Sequence, residues 1–454
     1  MPDLVIKNAR IFINDALQPM EIAVDSGKIT KVGKIIGTEA YDTVIDARGA
    51  LVLPGAIDVH VHFRDPGMTK KEDWYTGSCA AAAGGVTMVI DHPNTIPPTI
   101  DAESFKLKQK EAKKSIIDYG INAGVTRNFK SLKELWELGA TAFGEIFLAE
   151  STASLNVNYS TLKDALGITG ELGAVACVHA EDEETRNKLV RVLKGNPEPE
   201  SYSKSRPNLC EKVAVEKALR LVGKEKLHFC HISAHESLEA INKAKAENKT
   251  PHFNAGIKNI TCEAAPHHLF LTTKDYRRLG TLAKMTPPLR DFQSQRSLWA
   301  GLNEGVIDII ASDHAPHLES EKMTDIWSAP AGVPGVETMM PLMLMAVKRN
   351  LLTLKRLHEV MCSNPARIFG LNKGIIASGY DADMIITGEV KEIRKEKMHS
   401  KAKWTPYTGM EGMSPRMTIS KGDIVFEDGE IIAKRGHGRF IPGKGFAEEK
   451  GNIP

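Results

Sequence analysis

Between residues 55 and 366 the chain alternates short apolar runs with amphipathic helical stretches, and this alternation constrains the fold more than any other feature. Strand-like runs fall near 56–62, 86–91, 120–125, 141–145, 173–179, 227–231, 258–264 and 306–312, separated by stretches such as "AESFKLKQKEAKKSI" and "SLKELWELG". A strand followed by a helix, repeated eight times, predicts an α/β fold of the (β/α)₈ TIM-barrel type. The two ends read differently. "LVIKNARIFI" and "MEIAVDSGKITKVG" near the start, and "ADMIITGEV" and "RMTISKGDIVFEDGEIIAKRG" near the finish, have the alternation and Asp/Gly turns of β-hairpins. We therefore expect residues 1–54 and 367–454 to build one small β-sandwich domain around the 55–366 barrel. The closing "RGHGRFIPGKGFAEEKGNIP" is expected to be a loose surface strap.

The chain has 454 residues, of which 42% are hydrophobic and 26% charged, the balance of a globular protein. Its 59 basic and 57 acidic residues nearly cancel, which argues against nucleic acid or an anionic membrane surface as the main partner. No apolar run has transmembrane length, and the N-terminus lacks a signal-peptide pattern, so a cytoplasmic protein is expected. Cys79, Cys177, Cys210, Cys230, Cys262 and Cys362 form no CxxC pair and read as buried thiols.

The chemistry is concentrated in "GAIDVHVHFRDPG". Strand alternation puts Asp58, His60 and His62 on one face and Val59, Val61 and Phe63 on the other. With the apolar face toward the helices, two imidazoles point into the barrel, where they need a partner. Other strand ends supply polar company: Glu145 in "TAFGE", His179 in "VACVHAED", His231 in "HFCHIS" and Asp313 in "IIASDHAPH". Barrel active sites form at the C-terminal ends of several strands at once. Four histidines and two carboxylates converging there suit a metal with nitrogen and oxygen ligands, zinc first.

At this point the motifs "DVHVHFRDPG", "HPNT", "VHAED", "CHIS", "APHHL", "PPLR", "ASDHAPH" and "PAGVPGVET" together resemble the dihydroorotase family of the amidohydrolase superfamily. The resemblance implies a small-molecule enzyme that reversibly cyclises N-carbamoyl-L-aspartate to L-dihydroorotate for pyrimidine synthesis. It implies a first zinc on His60, His62 and Asp313 and a second on His179 and His231. Relatives often bridge the two metals with a carbamylated lysine; here Glu145 occupies that place and is expected to bridge. Asp313 is the implied catalytic proton carrier. Arg64, Asn94 and His317 are the implied substrate-carboxylate contacts, with His62, Ala331 and Gly332 also touching substrate. Thr286 stands where the family commonly has Asn. His267, His268, His92, His314 and His235 are expected to support the site without binding metal, and residues 150–165 are the expected cover.

Two other readings bear on the same residues. A hydantoinase or allantoinase resembles most of these motifs but usually lacks the Arg64 equivalent. A catalytically inactive scaffold would have lost metal ligands, and this chain has kept them. The resemblance leaves open homo-oligomer formation and association with aspartate transcarbamoylase.

Overall fold

The computed structural model describes residues 3–13, 16–37, 41–150, 155–247 and 259–447. Eight strands of the central region are β1 (Ala56–Val61), β2 (Val86–Asp91), β3 (Asp118–Ile121), β4 (Phe143–Phe147), β5 (Val175–His179), β6 (Lys226–Phe229), β7 (Ile260–Ala264) and β8 (Ile309–Ile310). β1–β3 pair in parallel, as do β4–β8. Two parallel bridges, Ala123 to Phe143 and Val61 to His314, join these halves into a closed ring. Helices follow most strands, and with the adjoining sheet this is the TIM-barrel-like architecture expected from the alternation.

The alternation in β1 is not unbroken. Its pairing with β2 shifts register between Asp58 and Val61. Val61 and Phe63 pack on the helical side, where Phe63 meets the Trp74 ring at 5.3 Å. Val59, expected there too, instead joins Ile57, Met88, Ile90, Cys177 and Ile309 in a separate cluster. Asp58 is also used differently. Its carboxylate accepts from the Ser312 N–H at 3.0 Å, fastening β1 to the segment after β8.

The two ends of the chain contribute to one nine-stranded sheet among the described residues. Leu51–Pro54, which leads into β1, pairs antiparallel with Met384–Glu392, which follows the barrel. The chain therefore enters and leaves the barrel on neighbouring strands. Lys373 pins this junction. Its Nζ lies 2.8 Å from Asp118 of β3 and 2.5 and 2.9 Å from Asp383 and Asp381.

The described part of the tail is not loose. Tyr119 of β3 donates to the Arg439 carbonyl at 2.9 Å and accepts from the Ile441 N–H at 2.8 Å. Gly443 donates to the Gly139 carbonyl at 2.9 Å. The strap thus covers the β3 edge where β4 does not reach, because those two strands bridge only farther on, at Ala123 and Phe143. Glycine makes the approach feasible: a Cβ on Gly438 would sit 1.9 Å from the Ile117 carbonyl oxygen. Residues 448–454 lie outside the described residues.

Candidate metal centre and substrate cavity

Five of the eight strands carry the candidate metal-site groups within them or just past their C-terminal ends. His60 lies in β1 and His62 just beyond it, Glu145 in β4, His179 at the end of β5, His231 two residues past β6 and Asp313 three past β8. Of the ten non-glycine residues with positive φ among the described residues, three lie at this centre: Arg64 (φ 61°), His231 (φ 29°) and Asp313 (φ 46°). Such conformations cost on the order of 1–3 kcal/mol each.

Glu145 stands at the centre. Its Oε1 is 2.9 Å from His179 Nδ1 and 2.7 Å from His231 Nε2. Its Oε2 faces the other pair, 3.5 Å from His60 Nε2 and 3.9 Å from His62 Nε2. One carboxylate therefore presents an oxygen to each of two imidazole pairs. Asp313 Oδ1 lies 3.3 Å from His62 Nε2 and 3.7 Å from His60 Nε2. Zinc–nitrogen bonds of about 2.0–2.1 Å in a tetrahedral site imply ligand–ligand edges of about 3.3 Å. The spacings here approach that value, and His60 Nε2 is buried with no hydrogen-bond partner among the described residues. The donor set fits metal. The His60–His62–Glu145 and Glu145–His179–His231 clusters share Glu145 and are consistent with a binuclear zinc site.

The short reach of glutamate is met by the backbone. Gly144 packs against β5 so closely that a Cβ would fall 2.3 Å from the Cys177 carbonyl oxygen, and its φ of 145° disfavours a side chain independently. Burial would raise the Glu145 carboxyl. The His60 charge and hydrogen bonds from His179 and His231 outweigh it and hold the group well below the usual range.

The other nitrogen of three of these rings is held from behind, which fixes which nitrogen faces the centre. His60 Nδ1 meets Glu263 at 2.6 Å, His62 Nδ1 meets Asn94 Oδ1 at 2.7 Å and His179 Nε2 meets Glu181 at 3.1 Å. Arg206 in turn grips Glu181 at 2.7 Å. Burial pushes the Glu181 carboxyl up, but Arg206 and His179 bring it down to about 2. Sequence reading missed Glu263 and Glu181. A charged residue inside the apolar run "ITCEAA", and one directly after the strand in "VHAED", were the available signals.

A cavity of about 370 Å³ opens onto this centre. His62, Arg64, Asn94, Ala331 and Gly332 line it, as do Glu145, His179, His231 and Asp313. Asn94 has two faces here: its oxygen orients His62 while the residue borders the cavity. Arg64 is buried and makes no ion pair with Asp65 or Glu72. It donates to the Pro316 carbonyl at 3.3 Å, while Asp65 pairs with Lys114 and Glu72 with Ser400. Burial lowers the Arg64 guanidinium to about 10, well above neutrality, so it stays charged.

His317 packs directly on two residues that line the cavity, its Nε2 lying 3.3 Å from Arg64 Nη2 and donating to the Ala331 carbonyl oxygen at 3.0 Å. Lys71 Nζ donates to its Nδ1 at 3.0 Å. Burial and the Arg64 charge hold it far below the usual histidine range, hence neutral. Thr286 lines the cavity and shares a 2.5 Å hydrogen bond with the Tyr202 hydroxyl. His267 and His268 sit behind the centre, His267 Nε2 being 4.0 Å from Asp313. Of the expected cover, 151–154 lie outside the described residues, and Glu150 alone of the rest borders the cavity. The mouth is instead walled by Arg186, Lys194, Tyr202 and Arg206 with Lys284 and Trp327. The Trp327 indole donates to the Asn196 carbonyl at 2.8 Å, tying the two walls together.

This centre, on this barrel, defines a class. The chain belongs to the amidohydrolase family, whose sequence model matches residues 51–425. Within that family it is closely related to dihydroorotases. The dihydroorotase of Methanosarcina acetivorans is 53% identical across 99% of this chain and 97% of its own length. The L-hydantoinase of Paenarthrobacter aurescens is 31% identical across 99% of this chain and 100% of its own. Among solved structures, the L-hydantoinase (dihydropyrimidinase) from Arthrobacter aurescens superposes with a TM-score of 0.92 at 31% identity, covering 97% of this chain and 100% of that one. The protein is thus an enzyme of the amidohydrolase superfamily with a candidate binuclear metal centre. No helix among the described residues is long and apolar enough to cross a membrane.

Proposed function

We propose that the protein is a dihydroorotase, interconverting N-carbamoyl-L-aspartate and L-dihydroorotate. The observation that carries this reading is Arg64: a charged guanidinium on the cavity wall, close to Asp313, with no carboxylate of the chain within ion-pair distance among the described residues. A substrate carboxylate supplies the missing anion, and the planar fork can bind it with two parallel hydrogen bonds. Neutral hydantoin rings offer no such group, and this separates the two readings that the fold leaves equal.

His60, His62 and Asp313 would hold one zinc and His179 and His231 the other, with Glu145 between them. Bound zinc lowers the pKa of water and polarises the amide carbonyl under attack. Asp313 does the proton work. Its carboxylate accepts the proton of the attacking water and hands it to the departing ring nitrogen; ring closure runs the same transfer backwards. Arg64 fixes the carboxylate end of the ring, Asn94 stands beside it, and the backbone at Ala331 and Gly332 flanks the ring. Gly332, with φ 135°, suits a backbone that must approach closely. Six free, buried cysteines agree with a reducing, cytoplasmic setting.

Side-by-side assays of dihydroorotate and a 5-substituted hydantoin test the reading. Dihydroorotate is expected to be opened with at least a hundredfold advantage in kcat/KM, about what a lost charged contact of this type is worth. Faster hydantoin hydrolysis would overturn it.

A further inference from the structure

Lys322 is fully buried, which is rare for a lysine without an anion to pair with. Among the described residues no carboxylate stands within ion-pair distance of it. Its Nζ donates instead to three main-chain carbonyls: Lys284 at 2.7 Å, Pro330 at 3.0 Å and Gly332 at 2.9 Å. The Trp404 ring lies 5.8 Å below it. Three acceptors take all three N–H donors of an ammonium.

The partners of Lys322 belong to the two segments that wall the cavity. Lys284, Ala331 and Gly332 all line it. A peptide unit is planar and trans, so its C=O and N–H point in opposite directions. Drawing the Pro330 carbonyl toward Lys322 therefore directs the Ala331 N–H away from Lys322. The Ala331 carbonyl is itself taken by His317, and the Gly332 N–H by the Lys284 carbonyl at 3.0 Å. The 330–332 segment is pressed inward at Gly332, where a Cβ would lie 2.4 Å from the Ala315 carbonyl oxygen.

We infer that Lys322 is a positioning residue for the substrate: it sets the orientation of the 330–332 peptide groups against the ring. The inference rests on the dihydroorotase reading. Burial and the nearby Lys284 and Arg64 charges oppose the ammonium. A carboxylate docked on Arg64 offsets that opposition, so carboxylate binding and order in the 330–332 segment reinforce each other.

Steady-state kinetics of Lys322→Met and Lys322→Gln with dihydroorotate provide the test, together with zinc content and thermal midpoint. Wall contacts act equally on ground and transition states, so their loss raises KM and leaves kcat. The Met variant is expected to raise KM about tenfold or more with kcat within about threefold, and the Gln variant, which keeps two donors, to fall between. Zinc content stays at the wild-type value. Unchanged KM in the Met variant, or a fall in kcat alone, overturns the role. If the Met variant does not fold, the Gln variant decides; if neither folds, Lys322 is structural and the positioning role is overturned. A wild-type enzyme that opens no dihydroorotate overturns the functional reading itself, which is a different result from active wild type with unaffected variants.

Discussion

At Glu145, two oxygens of one side chain face two pairs of imidazoles, 2.9 and 2.7 Å on one side and 3.5 and 3.9 Å on the other. Two divalent ions this close repel strongly unless an anion lies between them. Glu145→Gln keeps the shape and removes the charge. We expect zinc, counted by plasma mass spectrometry, to fall from two toward one per chain, and turnover to drop at least a hundredfold, on the order of losing a principal electrostatic group. At Arg64 the fork geometry matters as well as the charge. Lysine offers only a point charge, so Arg64→Lys should raise KM for dihydroorotate about tenfold or more while zinc content is unchanged. Unchanged KM would show that the carboxylate binds elsewhere.

Among the elements, the tail strap and the segment after β8 show how neighbours complete a strand. β3 pairs with β4 only near Ala123, and Arg439–Ile441 take up the hydrogen bonds nearer its start. Deleting residues 436–454 should therefore lower the thermal midpoint by several degrees in calorimetry while sparing kcat, since no site residue lies in the strap. The link from the composite sheet back to the barrel has a titrating element. His399 holds Glu337, in the helix Val336–Lys348, through Nδ1 and its own N–H, both at 2.8 Å. Burial disfavours its charge, but the Glu337 hydrogen bond and charge outweigh it and raise its pKa. A raised folded value means stability fully present below the unfolded pKa of about 6.5 and lost as pH rises through the folded one. Thermal midpoints of wild type and His399→Asn should accordingly differ most in mild acid and converge above neutrality. A constant gap across that range would show that the contact is not charge-dependent.

For the whole molecule, the barrel and the sheet share an apolar core, in which Leu53, Ile385, Val425 and Phe426 of the sheet pack with the barrel helices, and a buried ionic cluster joins them as well. Lys373 faces Asp118 of the barrel and Asp381 and Asp383 of the sheet side at once. Removing one partner of a buried ionic cluster leaves the others uncompensated, so Lys373→Met should destabilise by about 3–5 kcal/mol, read as a shift in the denaturation midpoint. A change of under about 1 kcal/mol would mean that Lys28, Lys421 and Arg439 carry the same load.

The sequence by itself determined the repeating strand-and-helix order, the β-rich ends and the identity of the groups at the strand ends. These are local properties: periodicity and residue type are readable in a window of ten residues. It did not determine which groups meet. His60 and Glu263 are 203 positions apart, and only barrel closure sets them 2.6 Å from each other. The same closure turned Asn94 toward His62, set His317 against Arg64 and buried Lys322 beneath residues 330–332. It also let a register shift in β1 override simple alternation at Val59. Side-chain partners depend on how the ring of strands closes; a period-two pattern fixes which face a residue takes, not which distant group it meets there.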